Sequence, residues 1–245
     1  MDALLFAAGL GTRLRPLTDR VPKAMVEVGG VPIIERVARA LVGAGADRLI
    51  VNTHHLGEVV ERYARERDGW GAELRFSREE GRAPLETGGG LLHARGHFRQ
   101  DAPFFLHNAD LLTDLPLKEM YDAHLVSGAL ATLAVMERPS SRHFLFDDRG
   151  LLGRSDDEKG LDLRIRPAEG EIEKLAFAGV HVVSPEIFPR ITERGAFSIL
   201  DPYLRLAGEG ERIVPFRVDG ALWIDIGRPE MLEQARALFA GKAKR

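Results

Sequence analysis

Cysteine is absent from the chain. Its absence excludes disulfides, cysteine-ligated zinc and thiol nucleophiles, and it fits a reducing cytoplasm, which is the expected location. Long apolar runs are missing too. The one near the N-terminus, residues 3–8, is too short and too soon interrupted to serve as a signal peptide or a membrane span. Charge of one sign is also scarce: the formal net charge of −3 leaves no footprint for nucleic acid or for an anionic membrane surface, so neither is an expected partner. Any positive charge that meets an anionic ligand must be local. Internal repeats and low-complexity tracts are absent as well.

What the chain does have is bulk. With 245 residues, 44% hydrophobic and 29% charged, it can bury one large core, and a single domain over residues 1–245 is expected. Short apolar runs alternate with amphipathic stretches. Strands are predicted at residues 3–7, 48–52, 73–76 and 103–107, with helices at 33–44, 58–67 and 89–95 between them. That rhythm implies an α/β fold: three layers, a mostly parallel twisted sheet and helices on both faces. The second half is less regular. It reads as a strand at 129–136, a hairpin of 144–146 with 151–154, a polar mobile loop over 153–170, a strand at 177–183 and a helix at 199–207. Strands at 212–216 and 222–224 and a closing helix at 229–240 complete it.

In such sheets ligands gather at the carboxyl ends of the strands. The first strand runs there into Gly9-Leu10-Gly11-Thr12-Arg13-Leu14-Arg15-Pro16, followed by Pro22-Lys23. Glycines let backbone N–H groups approach a polyphosphate, and Arg13 and Lys23 add cationic donors, so this turn suggests a cradle for a nucleotide. It is not a dinucleotide fingerprint, because Leu14 stands where the third glycine belongs, and the Gly-Lys-Ser/Thr of a Walker loop is absent. Asn52-Thr53-His54-His55 and Asn108-Ala109-Asp110 fall at the same edge. His54 and His55 face opposite ways on an extended segment, and His93 and His97 lack a catalytic Glu, so zinc is not expected at either pair. Trp223 and Phe177 read as core aromatics.

The opening pattern, with Pro22-Lys23-Ala24-Met25, resembles the signature of sugar-1-phosphate nucleotidylyltransferases. Further matches follow in family order: Leu85-Glu86-Thr87-Gly88-Gly89-Gly90, Asn108-Ala109-Asp110, Phe177-Ala178-Gly179-Val180 and Trp223-Ile224-Asp225-Ile226-Gly227. Among its branches the look is nearest to the N-acetylmuramate-1-phosphate uridylyltransferases. The resemblance implies a Rossmann-like nucleotide-diphospho-sugar transferase fold and attack by a sugar-1-phosphate on the α-phosphorus of an NTP, UTP first, with release of pyrophosphate.

It further implies Mg²⁺ held by Asp110 and Asp225, and catalytic charges at Arg13 and Lys23. Nucleotide contacts are implied at Ala8, Gly9, Gly11, Thr12, Thr87 and Gly88, the last two through the Thr87 side chain and the Gly88 and Gly89 amides. Sugar-phosphate contacts are implied at Asn108, Gly179 and Glu173. Thr87 has a structural reading too, as the cap of the helix that follows. A GTP-using mannose- or heptose-1-phosphate enzyme, a phosphocholine cytidylyltransferase and a non-catalytic regulatory homologue remain as alternatives. The chain departs from the family at Ala109, usually glycine, at Ser77-Arg78, where many relatives carry a base-reading glutamine, and at Pro139-Ser140-Ser141-Arg142-His143, where muramate enzymes carry an Asn-Pro-rich segment.

Overall fold

The computed structural model describes residues 1–242. In chain order, β1 (Asp2–Phe6) leads through three short 3-10 turns to β2 (Glu27–Val28), β3 (Val31–Pro32) and α1 (Ile33–Gly43). Then come β4 (Arg48–Thr53), α2 (Gly57–Glu66), β5 (Glu73–Arg78), α3 (Glu86–Ala94), β6 (Phe104–Asn108), β7 (Leu111–Thr113) and α4 (Leu117–Ser127). The second half holds β8 (Ala131–Met136), β9 (Arg142–Asp147), β10 (Gly150–Asp156), β11 (Leu161–Arg164), β12 (Glu173–Val183), α5 (Ile187–Arg190), α6 (Leu200–Gly208), β13 (Ile213–Arg217), β14 (Trp223–Asp225) and α7 (Pro229–Lys242).

The expected α/β architecture forms. Strands β6, β1, β4 and β5 lie side by side and parallel, and β12 joins the sheet antiparallel to β6. Their side chains alternate between two cores, as strand geometry requires when both faces are covered. Ala3, Leu5, Leu49, Val51 and Phe105 face one core, with α1, α2 and α4; Leu4, Ile50, Phe104 and Leu106 face the other, with α3 and α6. Helix α1 shows why these segments dock: Ile33, Ile34, Val37, Ala38 and Leu41 recur at helical spacing and are all buried.

Register sets the functional edge. Phe6 pairs with Asn52 on one side and Asn108 on the other, so β1, β4 and β6 end level. The ladder continues one step past β1, where the Ala7 amide donates to the Asn52 carbonyl at 3.0 Å and the Ala109 amide to the Phe6 carbonyl at 3.2 Å. The glycine turn, Asn52 and Asp110 therefore open on one side of the sheet.

Residues 153–170 correct the expected mobile loop. Strand β10 continues to Asp156, and β11 pairs antiparallel with it. The approach is close enough that a side chain on Gly153 would collide with the Leu163 carbonyl. After β11 the chain is pinned by Arg166, whose guanidinium donates two bonds of 2.6 Å to Asp147 and weaker ones to the Gly150 and Leu151 carbonyls. The Asp147 side chain is shielded from solvent, and Arg166 holds its carboxyl well below the usual range. Polarity misled here because backbone pairing of β10 with β11 and the one shielded Arg166–Asp147 pair order a stretch most of whose other charges stay exposed. Arg166→Ala strands the Asp147 carboxylate and is expected to destabilise the fold by about 3 kcal/mol in urea denaturation. A loss below about 0.5 kcal/mol, the scale of a surface pair, refutes the anchoring.

Candidate active site

The site is assembled around the turn after β1. Gly11 has φ +63°, and a Cβ there would lie 2.8 Å from Thr18 Cγ2 and 3.1 Å from Lys23 Cβ, so glycine lets the turn fold back on residues 18 and 23. Thr18 Oγ1 locks this by donating to the Gly11 carbonyl at 2.8 Å. Gly9, by contrast, has nothing within 4 Å of its Cβ position. That free space belongs to a cleft of about 210 Å³ lined by Gly9, Gly11, Thr12, Arg13, Lys23 and Asp110, among others. Ala8 is buried beside the cleft and does not line it; Ala7 does.

Tertiary pairing brings the two aspartates together. β14 runs antiparallel to β7 with Asp225 opposite Leu111, and the Ile226 amide donates to the Asp110 carbonyl at 3.1 Å. Lys23, on the turn Lys23–Met25, is ion-paired with Asp110 and lies 3.7 Å from Asp225. Gly227 measures how tightly these charges converge. A Cβ there would stand 2.6 Å from Lys23 Nζ, 2.8 Å from Asp225 Oδ1 and 3.1 Å from Arg13 Nη2. Gly227 was in the quoted motif without a role; it keeps space open at the centre of two cations and a carboxylate. Among the described residues, no three Asp, Glu, His or Cys side chains gather to hold a metal, so the protein brings two carboxylates only.

A second, larger cavity of about 460 Å³ is lined by Arg138, His143, Arg154 and Phe177, among others. Arg138 links this cavity electrostatically to Asp225. Its guanidinium lies 3.9 Å over the Trp223 ring, donates to the Phe177 carbonyl at 3.0 Å, feels the charge of Asp225 and lines the larger cavity. Burial lowers its pKa from the usual arginine range. Trp223 and Phe177, expected in the core, are half-buried and pack against it; the Trp223 ring is the platform under Arg138, tied by its Nε1–H to the Ala178 carbonyl at 2.9 Å. Arg138 was not singled out from sequence, since nothing in its local pattern marks it; only β12 and β14 together create its bed.

The other expected contacts are placed as follows. Gly179, with φ +77°, sits where the β12–β8 register shifts, and a Cβ there would crowd Asn108 Nδ2 at 2.9 Å, so these two adjoin beside Asp110. Glu173 is not brought to either cavity: it is exposed and bound to Arg217 at 2.5 Å, while Lys174 pairs with Asp157 at 2.8 Å.

The backbone donors expected at the Gly88–Gly89 segment are already used. The Gly88 and Gly89 amides donate to the Phe197 carbonyl at 2.9 and 3.3 Å, and Thr87 Oγ1 accepts the Ile199 amide at 3.0 Å rather than capping α3. These glycines admit the segment around Phe197, whose ring a Cβ on Gly88 would strike. The same region is held from below by Glu79, 4% exposed, which accepts from Asn52 Nδ2 at 2.8 Å and from the Leu85 amide at 2.6 Å. His54 donates from Nε2 to the Gly81 carbonyl at 3.1 Å, a structural contact.

Fold and cleft define a nucleotidyltransferase, and the chain belongs to the nucleotidyl transferase family, whose model matches residues 2–241. It is 35% identical over 241 residues to the N-acetylmuramate alpha-1-phosphate uridylyltransferase of Caulobacter vibrioides, an alignment covering 97% of this chain and 96% of that one. It is also 30% identical over 243 residues to the mannose-1-phosphate guanyltransferase of Candida albicans, covering 98% of this chain and 64% of that one. Its fold matches the solved UDP-glucose pyrophosphorylase of Acinetobacter baumannii with a TM-score of 0.78 at 20% identity, over 97% of this chain and 92% of that one.

Proposed function

We propose that the enzyme transfers a nucleoside monophosphate from an NTP, UTP first, to a sugar-1-phosphate, giving an NDP-sugar and pyrophosphate. The observation that carries this reading is the convergence of Arg13, Lys23, Asp110 and Asp225 on one cleft beside Gly9. The triphosphate occupies the smaller cleft and the sugar the larger. UTP is favoured by the uridylyltransferase relative, and GTP is the second reading because of the guanyltransferase relative.

The acceptor oxygen is already anionic, so it needs alignment rather than a strong general base. Arg13 and Lys23 stabilise charge on the departing pyrophosphate, and Arg138, close enough to Asp225 to feel its charge, steadies the acceptor phosphate. Two carboxylates with phosphate oxygens completing the shell are a donor set that suits Mg²⁺. Asp110 and Asp225 would hold the ion, and it would neutralise charge on the reacting phosphates. Lys23 sits between those carboxylates in the present state, itself the cation they attract. Transfer is direct, with inversion at phosphorus: the chain has no cysteine, and His107, the histidine nearest Asp110 in sequence, is buried with Nδ1 tied to the Asn108 carbonyl at 2.8 Å.

Pyrophosphate release, read for four NTPs against a panel of sugar-1-phosphates, tests the assignment; silence across the whole panel overturns it. Within an active pair, Arg13→Ala is expected to lower kcat about 100-fold with a smaller change in KM, and Lys23→Ala to be comparable. Unchanged kinetics and unchanged NTP binding by calorimetry in both variants would remove the cradle.

A further inference from the structure

The larger cavity is over-supplied with positive charge for an acceptor with one phosphate. That reacting phosphate must lie at the end next to Asp225, where Arg138 already stands. Further in, β9 and β10 present Arg142 and Arg154 on one face of the hairpin, because Arg142 pairs with Asp156 and Arg154 with Phe144 in alternate register positions. Lys159 joins them from the turn before β11. Among the described residues neither Arg142 nor Lys159 has a carboxylate partner, and Arg154 has only a loose contact of 3.8 Å with Asp201.

Two carboxylates line the same cavity, and neither takes up this charge. Asp156 turns Oδ1 to the Lys159 backbone amide at 3.2 Å, and Glu86, held at φ +60°, makes no ion pair among the described residues. The cavity also collects unmet hydrogen-bonding capacity. Of the seven buried side-chain polar atoms without a partner among the described residues, four line it: Arg138 Nε, His143 Nδ1, Arg154 Nε and Ser155 Oγ. Native interiors rarely leave such groups orphaned, and concentrating them in one place points to a polar ligand that completes them. Neutral hydroxyls satisfy guanidinium and ammonium groups poorly, whereas an anion forms short charge-assisted bonds with them.

We propose that the acceptor is a sugar-1-phosphate bearing a second anionic group, a carboxylate or a second phosphoryl, which Arg142, Arg154 and Lys159 bind. This rests on the sugar-1-phosphate reading above and narrows it to a substrate class. It also gives a task to Arg142 and His143, which stand where the muramate-type segment is missing.

The test compares acceptors that differ in the second anion. Glucose-1-phosphate is set against glucuronate-1-phosphate for the carboxylate arm and against glucose-1,6-bisphosphate for the phosphoryl arm. N-acetylglucosamine-1-phosphate is set against N-acetylmuramate-1-phosphate. At least one anionic member is expected to exceed its neutral partner at least 10-fold in kcat/KM, and the winning arm identifies the anion. Arg142→Ala and Lys159→Ala, both at exposed positions, are each expected to cut that preference at least 5-fold. Equal or better use of the neutral members throughout, or a preference unchanged in both variants, overturns the proposal while leaving the transferase reading standing. No turnover with any acceptor overturns both.

Discussion

Asp110→Asn and Asp225→Asn are each expected to lower kcat by about 10³-fold or more while leaving the thermal unfolding midpoint within a few degrees of wild type. The argument is one of charge at nearly constant volume. Lys23 contacts Asp110 and approaches Asp225, and Arg13 reaches the same point beside Gly227, so the wild-type centre holds two cations and two anions. Replacing one carboxylate by an amide leaves a net positive cluster and takes away half of the protein's donors for a hard cation. Asp225 also accepts the Gly227 amide at 2.8 Å, a bond that Asn keeps through its own carbonyl oxygen, so the loop retains its form. Kinetics across a Mg²⁺ titration separate the roles: a variant whose loss is recovered by raising Mg²⁺ has weakened metal binding. Activity within a few-fold of wild type at ordinary Mg²⁺ would take that aspartate out of the site.

Loss of stability in mild acid is the second large effect. Three histidines are almost fully buried: His107 on β6, His181 on β12 and His124 on α4. Burial pushes His107 and His124 down to about 4 and His181 to about 3, His181 also opposed by its neighbour His107. Each is therefore neutral when folded, with polar partners that suit the neutral ring. His124 bridges Thr132 Oγ1 and Ser184 Oγ at 2.9 and 3.0 Å, and His181 meets the Tyr203 hydroxyl at 3.0 Å. The unfolded chain takes up protons near pH 6.5, where the folded one does not, so stability is fully present above that pH and falls as the medium is acidified towards 4. At pH 5 each buried ring is expected to cost about 2 kcal/mol. Urea denaturation at pH 7 and pH 5 checks this, and His124→Gln should flatten the slope. The carboxylates held low, Asp47 and Asp147, act in a separate window, because their contribution is lost only below pH 4. A stability unchanged from pH 7 to pH 5 refutes the account.

Local pattern carried much of the fold. The runs that became β1, β4 and β6 are apolar, short and bounded by turn residues, and α1 shows its buried stripe at helical spacing, so they could be placed without tertiary knowledge. β7 is too short to stand out in the sequence, and β14 is legible only as a strand at 222–224 with no sign of its partner, yet their pairing places Asp225 against Asp110. The span 153–170 failed in the opposite sense: its polarity suggests a loose segment, whereas ladder pairing of β10 with β11 and the shielded Arg166–Asp147 pair hold it, and local sequence records neither partner. The Gly88 and Gly89 amides are taken by the Phe197 carbonyl, from a chain segment more than a hundred positions away, which no local motif records.

The residues themselves determined the class of chemistry. Glycines at 9 and 11 with Arg13 and Lys23 suit a phosphate-rich ligand, since backbone approach and cationic charge are properties of those residue types wherever the chain places them. Tertiary structure decided the geometry of the centre and the character of the acceptor cavity. Arg138, Arg142, Arg154 and Lys159 are unremarkable alone, and they become a binding surface only when β9, β10, β12 and β14 bring them to one cavity. Proximity between distant residues depends on strand register and on which face each side chain takes, and those are settled by packing across the whole sheet rather than by any local stretch.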